Sequence, residues 1–146
     1  MSDHATETTT IAADAEAIRE VLLDFPRYPD WVRDLKEVEV LGTDAEGRAT
    51  AVRFRAAAMG RSTSYTLEYD YSRDDVLAWT LVEGDITRTL DGSYTLTERG
   101  STTEVTYELE VDLKLPLPGF VKRRSQGRIM HAALRDLKER VESGAR

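Results

Sequence analysis

Five tyrosines, Tyr65, Tyr69, Tyr71, Tyr94 and Tyr107, fall at strand positions that share parity with apolar neighbours. Alternation therefore puts their phenols on one face of a sheet, together with Trp79 and Phe54. Phenols in that setting can donate a hydrogen bond to a ligand carbonyl. With a pKa near ~10 they are poor acids at neutral pH unless a cation sits close. Arg88 is the candidate cation, because it shares parity with Leu90 and Tyr94 and an ideal strand points it inward. A bulge at Gly92 would reverse that parity. Arg88 with Tyr94 or Tyr69 is thus the candidate catalytic set, able to polarise a carbonyl and move a proton. The simpler alternative is that these rings form the core and their hydroxyls find local partners.

His131 follows Gly127 by about one helical turn and is a candidate general base at a cavity edge. A lone His on a helix flank serves equally as a partly exposed structural residue. The acidic pairs offer less. Asp74-Asp75 reads as a turn, and Glu108, Glu110 and Asp112 alternate onto the wet face of the last strand. Two His and no Cys provide no metal-binding spacing, and no phosphate-binding glycine loop is present, so neither a metal nor a cofactor is expected.

The 146 residues suit one domain, 1–146, with an ordered core over about 6–143. Apolar residues are 40% and charged residues 32%, the balance of a globular chain. A net charge of −7 argues against nucleic acid as a partner. One short basic cluster, Lys122-Arg123-Arg124 with Arg128, reads as a solvated helix face or as an anion or lipid-headgroup contact. No apolar run is long enough to span a bilayer and the first residues lack a signal pattern, so no integral membrane association is expected. Zero cysteines are compatible with a reducing cytoplasm, the expected location.

Periodicity supplies the elements that must position these groups. A Thr-rich strand over 6–12 is expected to follow a frayed start at residues 1–5. Asp14 offers an N-cap to a helix with Ile18, Val21, Leu22 and Phe25 on one stripe, which Pro26 ends. A turn and a short second helix opening at Pro29 follow. Six alternating strands then run to Leu113, with turns at 42–47, Gly60, 74–75, 84–85 and 99–101. Val52, Phe54, Ala56 and Ala58 face inward on one strand, with Arg53 and Arg55 on the other side. Pro116 and Pro118 launch a long helix over 118–142, with Met130, Leu134, Leu137 and Val141 on its apolar stripe. Gly127 is read as part of that stripe, a gap where a strand or ligand approaches closely. Helices must cover the apolar face of such a sheet. The expected fold is α+β: a curved antiparallel sheet of about seven strands wrapped around the last helix, with two short helices after the first strand.

Several short motifs in this order carry a resemblance. They are helix 13–24 running into Tyr28-Pro29-Asp30-Trp31, then Trp79-Thr80-Leu81 with Gly84, and Gly92-Ser93-Tyr94-Thr95-Leu96. Thr103-Glu104-Val105-Thr106-Tyr107 and Leu115-Pro116-Leu117-Pro118-Gly119 complete the set. Together they resemble the START-like, helix-grip superfamily, and within it the polyketide cyclase/dehydrase and coenzyme Q-binding branch. The resemblance implies a deep apolar cavity between the last helix and the sheet, for lipids, sterols, quinones or polyketides. It implies no fixed catalytic set, because the fold hosts carriers and enzymes alike.

The expected function is therefore to bind an apolar small molecule as carrier or sensor. The candidate contacts are Trp31, Phe54, Tyr65, Tyr69, Trp79, Arg88, Tyr94, Tyr107, Gly127, Met130, His131 and Leu134. The alternatives are a polyketide aromatase/cyclase or dehydratase using Arg88 and the cavity tyrosines, or a partner-binding protein whose cavity is filled.

Overall fold

The computed structural model describes residues 3–58, 60–114 and 116–144. Leu115, expected at the entry to the last helix, lies outside the described residues, as do the side chains of Ala58 and Lys122. The order is β1 (Asp3–Ile11), α1 (Ala15–Leu23), a 3-10 helix (Phe25–Asp30), β2 (Leu35–Thr43), β3 (Ala49–Ala58) and β4 (Arg61–Asp70). Then come β5 (Val76–Gly84), β6 (Thr87–Arg99), β7 (Thr102–Leu113) and α2 (Gly119–Glu142). Two boundaries differ from expectation. The first strand opens at Asp3 because His4 and Ala5 continue the ladder against Glu110 and Leu109. The short second helix is a 3-10 turn that starts at Phe25 and contains Pro29, since two prolines leave too few N–H donors for an α-helix.

All seven strands join one antiparallel sheet in the order β1-β7-β6-β5-β4-β3-β2. Its alternation is as expected on the last strand, where Val105, Tyr107, Leu109 and Val111 are buried. The helices cover that face. Asp14 caps α1 by accepting from Ala17 N at 2.8 Å, and Ile18, Val21 and Leu22 turn into the core. Thr103, fully buried, donates to Ala13 O at 2.8 Å and fixes the start of α1 on β7. α2 buries Met130, Leu134, Leu137 and Val141. This is the helix-grip α+β arrangement. No helix among the described residues is long and apolar enough to cross a membrane.

The register also locates the two ends of the sheet. β1 ends and β7 begins where Ile11 faces Thr103, the end from which α1 departs. At the opposite end lie the end of β3, the start of β4, the β5–β6 turn and the end of β7. Asp85 N bonds Ser64 O there, and Lys114 N bonds Ile86 O at 2.8 Å. α2 begins five residues after Lys114 and runs back, so Gln126 meets Leu109 and Lys138 reaches Thr10 O. Only the first turns of α2 overhang this second end.

Candidate functional site

Trp79 on β5 faces Gly92 on β6. A Cβ at residue 92 would stand 2.5 Å from Glu108 O and 2.8 Å from the indole Cζ2. Glycine is therefore what lets the indole lie against β6, a close approach that any side chain would block. Beyond this pair β5 and β6 diverge, with no further register partners. Asp91 bridges the gap, its Oδ1 accepting from Leu81 N at 2.9 Å in place of a ladder bond.

From Trp79 a chain of ring contacts spreads across the inner face. Its centroid lies 5.4 Å from Tyr94, 5.9 Å from Tyr107 and 6.1 Å from Tyr69. Tyr94 and Tyr107 are 4.6 Å apart. The 3-10 turn extends the array: Phe25 packs 4.6 Å from Tyr69, and Tyr28 lies 5.0 Å from Trp31. Phe54 stacks on Tyr65 at 5.4 Å. Offset and tilted pairs of this kind are favourable beyond the area they bury. Met130 and Leu134 of α2 belong to the same core.

Two phenols are tied to the backbone: Tyr28 donates to Leu22 O, and Tyr71 to Ala49 O at 2.6 Å. The hydroxyls of Tyr65, Tyr69, Tyr94 and Tyr107 bond no described protein group. Of these, Tyr65, Tyr69 and Tyr94 are only half-buried, although they sit deep on the covered face. Burial raises all of them: Tyr65 is pushed up to about 12, and Tyr69, Tyr94 and Tyr107 rise well above 10, with neighbouring phenols adding to the effect. They are neutral hydrogen-bond donors at any ordinary pH.

Three expected contacts sit elsewhere. Arg88 does not enter the interior. The register break lies between Thr87 and Thr89 rather than at Gly92, so Arg88 is the extra residue of a bulge. Its largely exposed side chain instead bonds the buried Asp112 at 2.9 Å. Gly127 is exposed, and a Cβ there would meet nothing within 4 Å. His131 is exposed on the flank of α2, its Nδ1 3.3 Å from Glu7 Oε2, and joins the helix to β1. Trp31 lies at the margin, lining a surface cleft of about 130 Å³ with Arg27 and Arg140.

The helical phase explains the error at Gly127. The buried stripe runs Gln126, Met130, Leu134, Leu137, Val141, and residue 127 is turned about 100° away from Gln126. Gln126 is 2% exposed and donates from Nε2 to Leu109 O at 2.9 Å. Its signal in the sequence was a polar residue four before Met130, in phase with the apolar stripe. Because Gly127 has no packing role, Gly127→Ala is expected to stabilise the protein by about 0.5–1 kcal/mol in urea unfolding. Phe25 and Tyr28, not among the expected contacts, complete the ring array from the 3-10 turn.

Comparisons with known proteins agree with this geometry. A START superfamily protein from Mycobacterium smegmatis superposes with a TM-score of 0.91 at 26% identity, covering 96% of this chain and 97% of that one. The ZhuI aromatase/cyclase from Streptomyces sp. R1128 gives 0.85 at 20% identity, covering 100% and 97%. A STAR-related lipid transfer protein from Xanthomonas axonopodis gives 0.71 at 16% identity, covering 94% and 85%. At 20% and 16% identity, the last two likenesses speak for the fold alone. No curated protein sequence matches the chain significantly. The sequence profile described as polyketide cyclase / dehydrase and lipid transport matches residues 2–142, nearly the whole length. With the grip of α2 over an aromatic sheet face, that match makes this chain a member of the polyketide cyclase / dehydrase and lipid transport family.

Proposed function

We propose that the chain binds a neutral, ring-bearing apolar molecule against the inner face of the sheet and acts as its carrier. One observation carries the reading: Tyr65, Tyr69 and Tyr94 lie deep on the covered face, yet remain half-buried with hydroxyls that no described protein group engages. Such hydroxyls suit ligand carbonyl or hydroxyl groups, and the surrounding rings suit a flat apolar skeleton of the quinone or polyketide kind. A carboxylate ligand fits poorly, because Arg88 is spent on Asp112 at the surface. The cyclase alternative loses support for the same reason. With their pKa raised by burial, these phenols hold their protons and orient a ligand rather than act as acids. A reducing cytoplasm is the compartment in keeping with a chain of zero cysteines.

The test is a titration of stripped protein with a neutral quinone probe such as 2-methyl-1,4-naphthoquinone, followed by quenching of Trp79 and by native mass spectrometry. One-to-one saturable binding is expected. Tyr94→Phe should weaken it about threefold to tenfold, the worth of one neutral hydrogen bond. Arg88→Gln should leave it unchanged. Loss of binding in Arg88→Gln would favour the cyclase reading, and absence of saturable binding to the folded wild type would reject the carrier.

A further inference from the structure

The first turns of α2 differ from the rest of the surface. No described side chain over residues 119–125 is buried, and Phe120 stands 58% exposed. Arg123, Arg124 and Arg128 are exposed, and none lies within ion-pair distance of a described carboxylate. By contrast, Arg33, Arg48, Arg53 and Arg73 are each held by an acidic side chain at 2.9–3.2 Å. A chain of net charge −7 thus leaves three cations uncompensated on one short stretch, beside an exposed aromatic ring. Phe120, Arg124 and Arg128 repeat every four residues and form one stripe along the helix.

We propose that this stripe docks the protein on an anionic lipid bilayer, with the arginines on lipid phosphates and Phe120 in the acyl boundary. A ring flanked by cations matches the interface between headgroups and chains, where each part meets its own environment. The acidic remainder of the molecule is repelled by the same surface, so only this end faces it. Strand register puts the start of α2 just beyond the end of β7, at the same end of the sheet as the β5–β6 turn. Docking there sets that end of the sheet against the bilayer. The surface argument stands without the carrier reading, since it uses no interior residue.

The experiment is co-sedimentation of the full chain with phosphatidylcholine vesicles and with vesicles containing phosphatidylglycerol, over a range of salt. Binding is expected only to the anionic vesicles and should fall with salt as exposed charges are screened. Arg124→Gln and Arg128→Gln should each lower the partition coefficient about fivefold, and Phe120→Ser about tenfold or more. All three side chains are exposed, so thermal unfolding should not move. Arg53 of β3 is paired with Glu39 of β2, and Arg53→Gln should bind as the wild type does. No binding to anionic vesicles overturns the proposal and leaves the stripe to an acidic protein partner. Binding that ignores these substitutions, or equal binding to both vesicle types, overturns it as well.

Discussion

Replacing Gly92 by valine is expected to destabilise the protein by about 3 kcal/mol or more, the upper range for an overpacked core. The thermal midpoint should fall by roughly 10 °C for a domain of this size. The collision is with two rigid objects, the carbonyl of Glu108 at 2.5 Å and the indole of Trp79 at 2.8 Å, and neither is a flexible side-chain tip. The carbonyl belongs to the β6–β7 ladder, the longest pairing in the sheet. The indole is therefore what must move, and Trp79 fluorescence should shift to the red as the ring leaves its 7% exposed seat. Because Trp79 touches Tyr69, Tyr94 and Tyr107, its displacement should also abolish probe binding. A Gly92→Val protein with wild-type stability and emission would show that the indole does not rest on β6 in solution.

The second large effect is alkaline unfolding. All six tyrosines have a pKa raised by burial, Tyr65 and Tyr71 to about 12 and the others well above 10. A phenol whose folded pKa exceeds its unfolded value near ~10 contributes stability that is complete below that value. That contribution is lost as pH climbs from about 10 towards the folded pKa, at about 1.4 kcal/mol per pH unit for each phenol. The six losses fall in the same pH interval, so the protein should hold its fold up to about pH 10 and be markedly less stable above it. Phenolate absorbance and far-ultraviolet circular dichroism should change in a single coincident step. Phenolate appearing near pH 10 with the fold intact would mean that the phenols are freely hydrated, contrary to the half-buried wall that a ligand would cover.

Much of this architecture was legible in the chain itself. Strand alternation from Val105 to Leu113, the Asp14 cap and the period of Met130, Leu134, Leu137 and Val141 are local signals, and each led to the element observed. The inward phenols followed from the same alternation, since Tyr65, Tyr69, Tyr94 and Tyr107 share a face with their apolar neighbours. Arg88 was misplaced because parity counts residues and a bulge adds one. Whether a strand bulges depends on its partner, here on how Thr87 and Thr89 meet Leu113 and Asp112. Gly127 was misplaced for a related reason: hydrophobic pattern alone could not show that Gln126, a polar residue, occupies the inward phase by finding Leu109 O. The role of Gly92 likewise belongs to the pairing of β5 with β6. Composition and period thus determined the fold class, the elements and the aromatic face, because those rest on side-chain alternation and capping along the chain. Only the tertiary structure decided which charges reach the interior, which glycine is obligatory and which phenols lack a partner, because each depends on atoms brought together from strands and helices distant in sequence.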